Sequence, residues 1–209
     1  MGKKRSSSRA WLKKHHEDIF VQRAQKEGYR SRAVYKLMEI NHKDQIIRQG
    51  MSVLDLGSAP GGWSQVAAAL VGEAGRVVAS DILPMDALAN VVFVQGNFTE
   101  QDTYDRIMAE LKEQPLDVVL SDMAPNMSGV REVDQPRAMY LVELATELAE
   151  RSLVPGGAFI TKVFQGEGFE MWFRQIRDRF DRVITRKPPA SRPGSREIYI
   201  VASGFKSAL

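Results

Sequence analysis

The sequence predicts an α/β fold: a mostly parallel sheet of seven strands, helices on both faces, and a last strand that runs in reverse. Three observations predict it. Short apolar, β-branched runs recur along the chain, helix-spaced apolar patterns separate most of them, and a Pro/Gly segment without a helix joins the final two. Alternating β and α segments with apolar strands indicate a parallel sheet covered on both sides. A short connection suits an antiparallel pair, because a parallel crossover takes about a dozen residues or more. With 209 residues, 44% hydrophobic and 26% charged, the chain fits one globular domain over residues 1–209, whose first 28 residues form a basic arm.

The elements follow in order. RSRAVYKLMEI (30–40) has apolar residues at 33, 34, 37, 38 and 40, a helical spacing. The strands are SVLDLG (52–57), RVVASD (76–81), NVVFVQG (90–96), DVVLSD (117–122), AFITKVF (158–164), RVITRK (182–187) and REIYIVASG (196–204). Helical patterns lie in WSQVAAALV after the first strand, TYDRIMAELK before the fourth, PRAMYLVELATELAERSL before the fifth and EMWFRQIRDRF before the sixth.

Composition removes several classes of function. Cysteine is absent, and His15, His16 and His42 lie early in the chain outside the usual zinc patterns, so no metal is expected. No apolar run approaches the length of a spanning helix, and the N-terminus has positive charge without a signal-peptide core. A cytoplasmic monomer with no membrane partner is expected. The net charge of +3 conceals an asymmetry: residues 1–36 carry +8 and the remainder −5. A second cluster, RKPPASRPGSR (186–196), adds Arg186, Lys187, Arg192 and Arg196 with no acid among them. Such patches suit a polyanion, since neutralised phosphates release condensed counterions. Arg30, Arg32 and Arg196 are the expected grips near the rim, with Trp11, Tyr29 and Tyr35 as candidates to stack bases or to join the core.

In a parallel α/β sheet, ligands gather outside the carboxyl ends of the strands, where the strand order reverses. Gly57, Asp81, Asp122 and Lys162 stand at or near those ends, and Glu197, at the start of the reversed strand, lies on the same edge. VLDLGSAPGGWSQ runs strand, glycine turn, helix, which is how a nucleotide-type cofactor is received. Its glycines, Gly57, Gly61 and Gly62, do not follow the dinucleotide spacing, and Asp81 is the acid at the end of the second strand that can take ribose hydroxyls. A pyrophosphate tolerates Asp55 poorly, whereas a cationic sulfonium is compatible with that carboxylate, so S-adenosylmethionine fits better than NAD.

The segments RSRAVYKL, VLDLGSAPGGWSQ, LPMD, SDMAPNMSG, PRAMYLVELA, KVFQGEGF and SREIYIVA, in this order and spacing, resemble the FtsJ family of ribose 2′-O-methyltransferases over nearly the whole chain. The resemblance implies a single domain of Rossmann-like, S-adenosylmethionine-dependent methyltransferase fold. It implies a catalytic Lys36, Asp122, Lys162, Glu197 tetrad and cofactor contacts at Gly61, Trp63, Asp81, Asn97 and Asp122, alongside the Asp55 and Gly57 of the glycine turn. It also implies an RNA partner: a uridine ribose in 23S ribosomal RNA, within the large subunit. QGNF places Asn97 where the family commonly has Asp, which removes a formal charge from that contact.

Methyl transfer needs in-line approach of a ribose hydroxyl whose proton has somewhere to go. Two versions stay open: a neutral Lys162 takes the proton, or a charged Lys162 positions the oxygen. Lys36 favours the first through repulsion and the carboxylates of Asp122 and Glu197 favour the second. Rival functions are an amino-group methyltransferase of bases, for which Asn126 replaces the usual stacking aromatic, a catalytically silent RNA-binding assembly factor, a cap-ribose methyltransferase of similar fold, and, more distantly, a dehydrogenase.

Overall fold

A computed structural model of the chain describes residues 18–111, 116–191 and 194–206. Trp11, His15, His16 and Arg192 lie outside the described residues, as does most of the expected arm. Two helices come first, α1 (Ile19–Lys26) and α2 (Val34–Asp44), followed by β1 (Ser52–Leu56) and α3 (Gly62–Val71). Next are β2 (Arg76–Asp81), β3 (Val91–Gln95), α4 (Gln101–Leu111), β4 (Leu116–Ser121) and α5 (Arg131–Ser152). β5 (Leu153–Phe164), α6 (Phe169–Arg179), β6 (Phe180–Arg186) and β7 (Glu197–Phe205) complete the described elements.

The seven described strands form one sheet in the order β3-β2-β1-β4-β5-β7-β6. β1 pairs in parallel with both β2 and β4, so the strand order reverses between β1 and β4. β7 is antiparallel to both of its neighbours, β5 and β6. The expected architecture is therefore present, with the last strand reversed.

Each face of the sheet has its own core. On one, Val119, Phe159 and Ile200 pack with Ile107, Met139 and Trp172 of α4, α5 and α6. On the other, Val118, Leu120, Ile160 and Val201 pack with Leu37 and Ile40 of α2 and Val66 and Ala67 of α3. Successive strand residues point to opposite faces, so every second residue belongs to the same core. Apolar burial at about 25 cal/mol per Å² makes these two layers the main stabilising term.

Several boundaries differ from the sequence expectation. Residues 19–26 form a helix capped by the Asp18 side chain, which accepts the Phe20 N–H at 3.0 Å. Charge marked this segment as arm, but Val21 and Ala24 are buried and Phe20 packs on Tyr35 with ring centroids 5.6 Å apart. α5 begins at Arg131 rather than at Pro136, because the Asp134 carboxylate gathers the Ser128 and Gly129 N–H groups at 2.8 and 2.9 Å and folds the preceding loop onto the helix start. β2 and β3 are parallel neighbours joined by residues 82–90 without a helix, a shorter crossover than the usual dozen.

Candidate active site

The side-chain alternation that builds the second core also builds the site. Val118, Leu120 and then Asp122 occupy the same-facing positions of β4 and its end, and Ala158, Ile160 and then Lys162 do so in β5. On β7 the same face carries Val201, Tyr199 and Glu197, read back toward its start. At the carboxyl edge the apolar series therefore gives way to polar groups, all on the face covered by α2. Lys162 and Tyr199 are direct cross-strand partners. α2 supplies Lys36 from the turn flanked by the buried Tyr35 and Leu37.

The four candidate tetrad residues are brought together in a chain of hydrogen bonds and ion pairs. Lys162 Nζ lies 3.1 Å from Asp122 Oδ1 and donates also to the Asp122 main-chain oxygen. The Tyr199 hydroxyl donates to Asp122 Oδ1 at 2.6 Å and accepts from Lys36 Nζ at 2.8 Å. Lys36 Nζ in turn pairs with Glu197 Oε1 at 2.9 Å. Both lysines are buried. Tyr199 is the link that sequence reasoning missed. A period of two from Glu197 places it on the same face, but only the pairing register sets it opposite Lys162.

Charge states follow from this packing. Burial would raise the Asp122 carboxyl, but Lys162 and Lys36, with hydrogen bonds from Tyr199 and Lys162, outweigh it and hold the group below its ordinary value. Burial and the neighbouring Asp122 and Glu197 push the Tyr199 phenol well above its usual range, so it serves as a neutral donor. Asp55, on β1 and 1% exposed, is lifted to about 7 by burial, against the lowering effect of the Ser64 hydroxyl that it accepts at 2.6 Å.

A cleft of about 630 Å³ opens beside this chain of groups, lined by Gly57, Asp81, Asn97, Asp122, Met123 and Tyr140 among others. That volume holds a nucleoside-sized ligand, and its place, beyond the ends of β1, β2 and β4, is the strand-order reversal of the sheet. One feature of the wall fits such a ligand. Gly57 has φ +71°, and a Cβ there would meet Met123 Cγ at 2.3 Å, so only glycine leaves the floor open. Asp55 Oδ1, buried on β1 away from the lining, has no hydrogen-bond partner among the described residues.

The other predicted contacts are placed as follows. Asp81 lines the cleft while its two oxygens accept the Ala59 and Leu83 N–H groups at 2.9 and 2.8 Å. Asn97 lines it too, with Oδ1 accepting from the Thr99 N–H and hydroxyl at 3.2 and 2.8 Å. Asp55, Gly61 and Trp63 are outside the lining. Trp63 is buried against Tyr199, ring centroids 5.7 Å apart, and donates its indole N–H to Ala33 O at 2.9 Å. Lys162 reaches the cleft edge through Asp122. Arg30 and Arg32, expected as RNA grips, are turned to protein acceptors: Arg32 to Asp18 and Ala190 O, Arg30 to three carbonyls. Tyr35 belongs to the core, with its hydroxyl on Glu27 at 2.8 Å. Among the described residues, no His/Asp/Glu group is placed to hold a metal, and no helix is long and apolar enough to cross a membrane.

A parallel sheet with a nucleoside-sized cleft at its strand-order reversal, and an amine–carboxylate pair at the cleft edge, defines an α/β group-transfer enzyme. The FtsJ-like methyltransferase family model matches residues 29–205, and the chain belongs to that family. Curated relatives share 58% identity over 199 residues with a Chromohalobacter salexigens protein, covering 95% of each chain, and 58% over 208 residues with a Marinobacter nauticus protein, covering 100% of each. Both are named ribosomal RNA large subunit methyltransferase E. A crystal structure of a Plasmodium falciparum protein described as a ribosomal RNA methyltransferase superposes with TM-score 0.78 at 28% identity, covering 86% of this chain and 100% of that one.

Proposed function

We propose that this methyltransferase transfers a methyl group from S-adenosylmethionine to the 2′-oxygen of a ribose, a uridine in 23S ribosomal RNA of the large subunit, and works as a cytoplasmic monomer. The observation that carries the ribose reading is the Lys162–Asp122 pair at the cleft edge, tied through Tyr199 to Lys36 and Glu197. The ribosomal RNA target is supported by the names of relatives alike over nearly the full chain.

S-adenosylmethionine, when bound, supplies an electrophilic methyl group on a sulfonium sulfur. Among the cleft-lining residues, Asp81 would offer carboxylate lone pairs to ribose hydroxyls of the donor, Gly57 would let the donor approach the strand end, and Asn97 would contact the adenine. Lys162 Nζ donates to the Asp122 main-chain oxygen and lies 3.1 Å from Asp122 Oδ1. Toward the substrate the amine would meet the 2′-oxygen as an N–H that positions it or as a lone pair that receives its proton. As the 2′-oxygen took the methyl carbon and the carbon–sulfur bond broke, its proton would pass to the neutral amine of Lys162 or, where that amine is already charged, to solvent. Asp122 fixes the amine's direction, and Tyr199 and Lys36 fix Asp122.

The test is transfer of labelled methyl groups to large-subunit particles from cells lacking this protein, followed by alkaline hydrolysis of the RNA. A 2′-O-methyl group blocks cleavage at its own linkage. Label recovered in freely cleaved nucleotides would instead place the methyl group on a base.

A further inference from the structure

The crossover between β2 and β3 has no helix to satisfy its backbone acceptors, and one side chain from a different part of the chain takes up two of them, Asp86 O and Ala87 O. Arg30 lies in the segment leading into α2, six residues before Lys36. Its Nη1 donates to Asp86 O at 2.7 Å and to Pro60 O at 3.2 Å, and its Nη2 donates to Ala87 O at 2.7 Å. A single planar guanidinium thus joins the turn after β1 to the crossover after β2. Gln65 of α3 holds the base of this side chain by accepting the Arg30 N–H at 3.2 Å and donating to Gly28 O at 3.1 Å.

The segments that Arg30 joins are walls of the cleft: Ala59 on one side, Ile82 and Leu83 on the other. Asp81 joins the same two segments through their N–H groups at Ala59 and Leu83. Donors of the walls are therefore bound by an acid inside the cleft and acceptors by a base outside it. Gly61 makes room for this clamp: its φ is +104°, and a Cβ there would meet Arg30 Nη1 at 2.8 Å and Met85 Sδ at 2.9 Å.

We propose that Arg30 is a positioning residue for the methyl donor: by bridging Pro60, Asp86 and Ala87 it holds the two donor-site walls at their spacing, and it ties that spacing to the segment that carries Lys36. The proposal rests on the reading of the cleft as the S-adenosylmethionine site. It assigns to Arg30 a part different from the RNA contact that its charge suggests. Pro60, Asp86 and Ala87 are exposed, so water could satisfy their carbonyls and what Arg30 adds is the tie between segments: a five-donor fork meets three carbonyls where a lysine ammonium, a point charge, would meet fewer at proper angles. Loss of the fork lets the walls separate, which weakens donor binding and leaves the Lys162–Asp122 pair where it is.

The experiment compares the parent chain with Arg30→Ala and Arg30→Lys. Binding of S-adenosylhomocysteine, the demethylated product, is measured by calorimetry. Methylation of large-subunit particles is measured with donor and RNA varied separately, and melting temperature is recorded. For Arg30→Ala the expected result is at least a tenfold rise in the product Kd and the donor KM, with kcat at saturating donor and the RNA KM within threefold of the parent. Arg30→Lys is expected to fall between the two, and it carries the test if Arg30→Ala does not fold. A donor KM within twofold of the parent in the folded variants, whatever the change in melting temperature, overturns the proposal. So does a rise confined to the RNA KM, which would make Arg30 an RNA grip. A parent chain that neither binds the product nor methylates RNA overturns the donor-site reading itself, and with it the proposal.

Discussion

Asp122 Oδ1 accepts the Tyr199 hydroxyl at 2.6 Å while facing Lys162 Nζ at 3.1 Å. One carboxylate oxygen thus holds both a neutral donor from β7 and the amine from β5. With two fixed neighbours, Asp122 has little rotational freedom, and the direction of the amine toward the cleft edge is set by the sheet.

Removing the amine should abolish chemistry and spare donor binding. Lys162→Met is expected to slow single-turnover methylation by about 10² to 10⁴-fold, the usual contribution of a positioned acid–base group, with the S-adenosylhomocysteine Kd within threefold. A loss below tenfold would remove Lys162 from the mechanism. The pH–rate profile then separates the two versions of its role: an ascending limb that vanishes in Lys162→Arg supports proton acceptance, and a limb unchanged in that variant supports positioning alone.

Tyr199→Phe keeps the buried ring and deletes the link between Asp122 and Lys36. Its expected effect is a loss of kcat of roughly tenfold, consistent with about 1.4 kcal/mol per factor of ten, without a change in donor Kd. The phenol's ionisation lies well above its ordinary range, so the profile between pH 6 and 9 should keep its shape in this variant. A kcat equal to the parent's would show that Asp122 is held without it.

Asp55 should make stability fall as pH rises. Its folded-state ionisation is lifted to about 7, whereas an unfolded aspartate titrates near ~3.9. Between those values the folded state binds a proton that the unfolded state has lost, so unfolding becomes easier with rising pH, by at most about 1.4 kcal/mol per pH unit, and the loss levels off above pH ~7. Asp55→Asn retains an acceptor for the Ser64 hydroxyl and removes the titration. Chemical denaturation at pH 5, 6, 7 and 8 should show the variant gaining on the parent up to pH ~7 and no further. A constant difference across the series would refute the assignment.

Asn97 commits its amide oxygen to Thr99, which leaves the amide nitrogen as the group not used in that turn. Asn97→Asp keeps one oxygen for Thr99 and adds a second acceptor at the cleft wall. The expected outcome is a severalfold lower donor KM, measured at saturating RNA. An unchanged or higher KM would mean that the wall at this position does not accept a hydrogen bond from the donor.

Arg196 is exposed, whereas Arg32 is half-buried on Asp18 and Ala190 O. Arg196→Ala should therefore weaken RNA binding and reduce the slope of log K against log salt by about 1, with donor binding unaltered. An unchanged slope would place the RNA path elsewhere.

Much of this site was legible along the chain because strand ends announce themselves. Asp81, Asp122 and Lys162 are polar residues closing apolar, β-branched runs, and a parallel sheet aligns such ends on one rim. The short helix-free link before β7 revealed its reversed direction, and hence that Glu197 starts on the same edge. The helix over residues 19–26 was not legible, because its few apolar residues are masked by charge and become meaningful only when Phe20 meets Tyr35.

What the sequence alone determined was the local code: which runs become strands and helices, where glycine opens the turn after β1, and which ionisable groups stand at strand ends. Those follow from periodicity and backbone sterics, which act over a few residues. Only the tertiary structure decided which groups are partners. The register of β5 on β7 set Lys162 opposite Tyr199, α2 brought Lys36 between Tyr199 and Glu197, and the packing around residue 60 turned Arg30 from solvent to three carbonyls. Contacts between residues up to 163 positions apart depend on how the layers dock, a collective packing outcome that no short window of sequence contains.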